Sequence, residues 1–326
     1  MYSFNNKNQK IAVIGSGYWG TIIINTLEKL KFKNILVYDK NLENIKIVKK
    51  KFNFINDVPN IEYILNDNKI KNVFVVTPPS ENLKIVSKLI IHKKDIFLEK
   101  PGFKKLSEII KIEKLLKKNN SKLMFGYIYC YNNQIDLLKK ILKKNVLGKI
   151  LYIGFYRQNL GPIRNDVDVD YDLTSHDLSI INKIFGKLPS IKSYKKYSIL
   201  KKNNADISNL HLSLKNINID INNSWLNPTK ERLIKVIGSK KMLLYNELDL
   251  INPIKIYNQY AKYPNMNYFD KKFMNSKALI YKGKSRSLKI KSNNPLSSEI
   301  KFFLKKNKIY TDIKFAKKIL KFLKRV

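Results

Sequence analysis

A glycine-rich turn, set between an apolar tetrapeptide and an amphipathic run, constrains this chain more than any other feature. IAVI (11–14) reads as a short buried strand, GSGYWG (15–20) follows without a gap, and TIIINTLEKLK (21–31) repeats apolar residues at helical spacing. So tight a strand-to-helix connection needs its glycines. Gly15 permits the turn, Gly17 lets a bound group approach the main chain, and Gly20 lets helix and strand pack closely. Amides at the helix start then face outward as an anion site, so the loop predicts a cradle for the phosphates of a dinucleotide. Asp39 ends the next apolar run, NILVY (34–38), 19 residues after Gly20. A carboxylate there suits ribose hydroxyls and repels a ribose phosphate, which favours NAD over NADP, while the adjacent Lys40 works the other way.

The strand-then-helix alternation continues. NVFVV (72–76), DIFLE (95–99) and KLMFG (122–126) read as further strands. Helical patterns run over about 19–31, 41–50, 58–66, 80–92 and 104–118, and this order predicts a doubly wound parallel sheet. After a helix at about 132–144, closed by Gly148, longer strands come in series: 149–158, 207–214, 217–226, 232–239 and 241–246. They predict a largely antiparallel sheet, with one helix inserted from Asp170 or Asp172 to Gly186. The stretch 258–285 reads as irregular, and helices at about 296–306 and 311–325 close the chain. The expected division is residues 1–126, α/β, and 127–326, α+β, with the closing helices able to pack back on the first part.

Lysine and arginine number 64 against 25 acidic residues, a formal net charge of +39. Such a charge suits polyanions, but it is spread along the chain, almost all as lysine, and runs such as LLKKILKK (137–144) place it on the solvated side of amphipathic helices. No zinc-finger, RNP or basic-zipper pattern accompanies it, so no nucleic-acid partner is expected. No apolar stretch approaches the roughly 20 residues of a membrane span, and MYSFNNKNQK has no signal-peptide core, so a cytoplasmic protein without a membrane role is expected. One cysteine, Cys130, and three scattered histidines leave no metal-ligand cluster.

Two further groups carry chemistry. Glu99, Lys100 and Pro101 follow the fourth strand, at the edge of a parallel sheet where ligands bind. A lysine there can donate a hydrogen bond to a reacting oxygen, although composition alone also reads it as a solvated loop lysine. Thr77, Pro78 and Pro79 end the preceding strand and shape the same edge, or form a simple turn. In YDLTSHDLSI (171–180), Asp172 and His176 stand four apart, one helical turn, so the carboxylate can orient the imidazole as a general base. The plainer reading is a helix histidine with a first-turn acid. His92 and His211 lack such company and read as structural.

Taken together, GSGYWG, VVTPPS, FLEKP, GYIYCYNNQ, YDLTSHDLSI and the sheet segment WLNPTKERLIKVIGSKKMLLYNE resemble the glucose-fructose oxidoreductase and inositol dehydrogenase family, Gfo/Idh/MocA, over essentially the whole chain. The stretch RQNLGPIRNDVDVDYDLTSHD is similar to a subgroup associated with sugar or nucleotide-sugar oxidation. The resemblance implies a Rossmann domain followed by an α+β substrate domain. Gly15, Gly17, Tyr18, Trp19, Gly20, Asp39, Lys40, Thr77, Pro78, Pro79, Glu99 and Lys100 would lie against the cofactor. It implies that His176, oriented by Asp172, takes the proton of a sugar secondary hydroxyl, that Lys100 stabilises the alkoxide, and that hydride goes to nicotinamide. Tyr127, Arg157, Asn159 and Arg164 would join Lys100, Asp172 and His176 as substrate contacts, and Arg164 reads equally as a loop-holding partner of Asp166 or Asp168. A homodimer or homotetramer is implied as well. Thr174 stands where many members have glycine, Cys130 where many have arginine, and Asn82 where histidine is frequent. The competing functions are an inositol or simple aldose dehydrogenase and a non-catalytic dinucleotide sensor.

Overall fold

The computed structural model describes residues 9–200, 202, 204–262, 278–305 and 309–326. They divide into two compact units, 1–131 with 294–326, and 132–293. In the first, strands β1 (Ile11–Ile14), β2 (Ile35–Tyr38), β3 (Ile55–Asp57), β4 (Asn72–Val75), β5 (Asp95–Glu99) and β6 (Leu123–Gly126) form one sheet in the order β3-β2-β1-β4-β5-β6. Every neighbouring pair is parallel. These strands are short and apolar because both faces of β1, β4 and most of β5 are buried. Helices α1 (Tyr18–Lys29), α2 (Leu42–Lys51), α3 (Glu62–Asn66), α4 (Pro79–Ile91) and α5 (Leu106–Lys118) supply the crossovers.

The register keeps the strand ends level: Ile14 lies opposite Tyr38 and Val75, and Glu99 opposite Gly126. The loops after β1, β2, β4, β5 and β6 therefore emerge at one edge. β1 and β4 are neighbours although not consecutive, so the winding reverses between them, which is where open α/β sheets take their ligands.

Two closing helices, α8 (Pro295–Leu304) and α9 (Ile313–Leu323), belong to this unit. Leu296, Ile300 and Phe303 of α8 join the core formed by α1 and the strands. Phe303 meets Phe74 and Phe97 with ring centroids 5.4 and 5.8 Å apart. Thr311 binds Phe125 twice: Phe125 N donates to Thr311 O at 2.8 Å and Thr311 Oγ1 donates to Phe125 O at 2.7 Å.

The second unit holds α6 (Asn133–Lys143), α7 (Ser175–Phe185) and an eight-stranded sheet in the order β14-β13-β12-β11-β7-β10-β9-β8. Its strands are β7 (Ile150–Leu160), β8 (Ser190–Tyr197), β9 (Ile207–Leu214), β10 (Ile217–Ser224), β11 (Leu226–Gly238), β12 (Met242–Asn246), β13 (Ile254–Lys262) and β14 (Leu279–Leu288). β7 and β10 are parallel and the other neighbours antiparallel, as a long crossover through α7, β8 and β9 allows. α7 ends at Gly186, whose φ of +77° is the left-handed cap that glycine adopts without strain.

Some expectations are corrected. The stretch 258–285 is not irregular where it is described: β13 and β14 pair across it, and residues 263–277 lie outside the described residues. β14 is exposed along nearly its whole length, so its sequence has no buried face to signal a strand. β3 and β8, edge strands with few buried side chains, escape a reading based on apolar periodicity for the same reason. The helix expected at 58–66 shrinks to Glu62–Asn66, after Pro59 and Asn60.

Phe303→Ala is expected to destabilise the first unit by about 3–5 kcal/mol, the usual cost of emptying a buried aromatic site. The urea unfolding midpoint measures it, and an unchanged midpoint would show that α8 is dispensable to that core.

Candidate functional site

The glycine loop opens α1 as its spacing requires. Gly15 has φ of +93°, and a Cβ on it would come within 2.9 Å of the Val76 carbonyl. A Cβ on Gly20 would lie 2.1 Å from Gly15 O, so only glycine lets the helix sit this close to the turn. Gly17 is the opposite case: nothing lies within 4 Å of its missing side chain. As the N-cap it offers no side-chain hydrogen bond to the first amides of α1. The result is an open cradle over unspent N–H groups at a positive helix end, the environment a pyrophosphate needs. Tyr18, 79% exposed, and Trp19 stand at its rim, with ring centroids 6.2 Å apart.

Asp39 follows β2 beside this cradle. Its Oδ2 accepts from Ser16 N at 2.6 Å, Ser16 Oγ at 3.0 Å and Asn44 Nδ2 at 3.1 Å, and Oδ1 accepts from Asn41 N at 2.9 Å. The carboxylate is thus fixed against the glycine loop. Lys40 turns instead to Glu81, 2.7 Å away on the surface, and this hydrogen-bonded pairing raises the lysine and lowers the carboxylate from their usual pKa values. Ser16 is a contact that sequence reasoning missed, since a serine inside a glycine motif carries no signal of its own.

Pro78 and Pro79 open α4, where a missing N–H costs nothing. Glu99 packs against Gly126, where a Cβ would meet its Oε2 at 2.9 Å, and Lys100 N donates to that oxygen at 3.2 Å. Burial pushes Glu99 up to about 7, against the pull of Lys100. Glu299 of α8 is fully buried, and burial together with the charge of Glu99 pushes its carboxyl well above the usual range. Tyr127, expected at the substrate, is buried against Phe315 with centroids 5.1 Å apart, and burial raises its phenol.

In the second unit, Asp170–Thr174 forms one π-helical turn that runs into α7, so the junction falls between Asp172 and His176. Asp172 accepts from Arg164 Nη1 and from the Trp225 indole, each at 3.4 Å. Arg164 also grips Asp166 at 2.6 and 2.9 Å, so it acts as the loop-holding partner. His176 sits half-buried in the first turn of α7. Asp177, one residue on, points away from this pair, as helical geometry requires, but it is not idle. It accepts from Arg157 at 2.9 and 3.1 Å, and Arg157 is only 5% exposed. Arg157 therefore bonds α7 to β7 rather than standing at a surface. Asn159 Oδ1 accepts from Arg232 at 2.6 Å, and its Nδ2 donates to Gly161 O.

Thr174 is fully buried and part of a polar network beneath the π turn. Its hydroxyl donates to Asp170 Oδ1 at 2.6 Å, and the Asn223 amide lies 2.7 Å away. Ser208 Oγ donates to the same carboxylate at 2.7 Å, and Lys196 lies 3.0 Å from it and 3.1 Å from Asp168. Lys196, Ser208 and Asn223 come from β8, β9 and β10, and no spacing in the sequence announces them.

Residues 9–127 match the model of the GFO_IDH_MocA family, described as an oxidoreductase family with an NAD-binding Rossmann fold. The likeness to that family model is confined to this region. No curated protein matches the chain. Among solved structures, a putative oxidoreductase from Magnetospirillum magnetotacticum is similar at 19% identity and a TM-score of 0.77, covering 97% of this chain and 98% of that one. UDP-N-acetylglucosamine 3-dehydrogenase GnnA from Acidithiobacillus ferrooxidans is similar at 17% identity and 0.75, with 97% and 96% covered. The 3-ketoreductase KijD10 from Actinomadura kijaniata, in complex with TDP-benzene and NADP, is similar at 11% identity and 0.76, with 97% and 96% covered. At these identities the likeness is one of fold. It carries the Rossmann sheet and the large, mostly antiparallel sheet across nearly the full chain, and no helix among the described residues is long and apolar enough to cross a membrane.

Two outcomes follow. Glu99 binds its proton more tightly folded than unfolded, so it favours folding below about pH 4.5, and its contribution is lost as pH rises towards about 7. The thermal midpoint of the wild type minus that of Glu99→Gln should therefore fall between about pH 5 and 7.5; a flat difference rejects the raised carboxyl. Thr174→Val, which keeps the shape and removes the hydroxyl, is expected to cost about 1–3 kcal/mol in urea unfolding. Trp225 fluorescence in a Trp19→Phe background reads that loss, since it is then the remaining tryptophan.

Proposed function

We propose that this protein is an NAD-dependent oxidoreductase acting on a secondary hydroxyl of a nucleotide-linked or otherwise anionic sugar. The observation that carries the reading is the open cradle at Gly17 with the Asp39 carboxylate fixed beside it. The residues fit a dinucleotide: α1 amides for the pyrophosphate, Asp39 for the ribose hydroxyls, and the loops at Thr77 and Glu99 along the same sheet edge. The carboxylate, with Lys40 engaged by Glu81, supports NAD over NADP. Bound there, the nicotinamide would supply the hydride acceptor.

The chain's own groups then have these roles. His176 takes the hydroxyl proton, Asp172 keeps the imidazole oriented and favours its charged form, and Lys100 stabilises the developing alkoxide by donating a hydrogen bond. In the reverse direction the same groups return the proton. A surplus of lysine helps draw in an anionic substrate. The names of GnnA and KijD10, a nucleotide-sugar dehydrogenase and a ketoreductase, agree with this substrate class. A cytoplasmic homo-oligomer completes the proposal.

Purified protein should form NADH with NAD and a nucleotide-linked sugar, UDP-N-acetylglucosamine being the first to test, with inositol and free aldoses in parallel and a keto acid added to recycle tightly held cofactor. Turnover with free polyols alone removes the nucleotide-sugar assignment. Lys100→Met and His176→Asn are each expected to lower kcat by about 10²–10⁴ while NAD still binds. Unchanged turnover in both sinks the proposed roles, and no turnover with any of these substrates while NAD binds leaves the reading of a dinucleotide-binding sensor.

A further inference from the structure

We infer that Asn82 is a positioning residue that fixes Lys100 by tying the loop after β4 to the loop after β5, an inference that rests on the role proposed above for Lys100. Asn82 lies in the first turn of α4 and is only 1% exposed. Thr77 Oγ1 donates to its Oδ1 at 2.7 Å, and its Nδ2 donates to Gly102 O at 2.6 Å. Both ends of the amide are used, in opposite senses. One end needs an acceptor and the other a donor, and a short amide supplies the two from one side chain.

What the amide joins is what gives the contact its consequence. On one side is Thr77, next to Val76, whose carbonyl already lies against Gly15. On the other is Gly102, two residues after Lys100. The Gly102 turn is confined from below as well: with φ of +75°, a Cβ there would meet the Phe125 ring at 2.5 Å. Phe103 N donates to Pro101 O at 3.0 Å, and the Phe103 ring is buried against Phe125 at 6.1 Å between centroids. The loop carrying Lys100 is thus anchored beneath by two aromatic rings and sideways by Asn82. Remove the amide and the sideways tie to the cofactor loops goes. A buried carbonyl at Gly102 also loses its donor, which drives the loop to move.

Misplacing a reacting group by about 1 Å costs on the order of 100-fold, so Asn82→Ala is expected to lower kcat by about 10- to 100-fold. NAD affinity and the substrate KM should change by less than about 3-fold, because the lost interaction serves the reacting geometry rather than ground-state binding. Asn82→Asp keeps the volume but presents a second acceptor to Gly102 O, so it should be no better than alanine. Asn82→His, with one donor and one acceptor on its ring, should recover part of kcat. NAD and whichever sugar supports turnover serve as substrates, and thermal midpoints are measured alongside. A fall in midpoint with kcat kept within about 2-fold in Asn82→Ala and Asn82→Asp would make the contact merely structural and overturn the inference. Should Lys100→Met leave turnover unchanged, the underlying reading fails instead. One readout needs no substrate: in protein with isotopically methylated lysines, the resonance that Lys100→Met removes is expected to shift in Asn82→Asp. A resonance that stays in place overturns the positioning role.

Discussion

The contact between Gly20 and the carbonyl of Gly15 is the constraint on which the first unit depends. With a side chain at residue 20 a carbon would sit 2.1 Å from that oxygen, and α1 would be forced away from β1. The helix start, the open position at Gly17 and the grip of Ser16 on Asp39 all follow from that closeness. So does the placement of Val76, since the same turn presses its other side against the chain leaving β4. One backbone approach therefore sets the cradle, the Asp39 carboxylate and the loop to which Asn82 is tied.

What was legible from the sequence were features repeated by geometry. Central strands buried on both faces write themselves as unbroken apolar runs, so IAVI, DIFLE and their neighbours were readable to within a residue or so. The glycine loop was readable because backbone conformation, not packing, demands its residues. The capped stop of α7 at Gly186 was readable for the same reason. Edge strands were not: β3, β8 and β14 owe their existence to a neighbour's hydrogen bonds, and nothing in a short or largely solvent-facing segment records that neighbour.

Side-chain partnerships across sequence distance were the other illegible class. Arg157 looks like an anion-binding arginine until Asp177, 20 residues away, is found beneath it. Tyr127 looks like a ligand contact until Phe315 covers it. Thr174, a departure from the pattern that the resemblance implies, becomes intelligible once Asp170, Ser208 and Asn223 surround it. A buried carboxylate must be satisfied, and here a hydroxyl on the π turn helps to do it. The polar floor under the turn that leads to His176 is therefore built from three strands and two residues of the turn itself, Asp170 and Thr174.

The first unit is discontinuous in sequence, and this has a consequence for the order of events during synthesis. Its core includes Leu296, Ile300 and Phe303, which leave the ribosome only after the whole of residues 132–293. Domains tend to fold as units while the chain emerges. Here the inserted unit holds all of its own strands before the first unit has its last helices, so it can close while β4 and β5 still lack the aromatic ring that covers Phe74 and Phe97. The unit whose strands are encoded first is thus the one that finishes last.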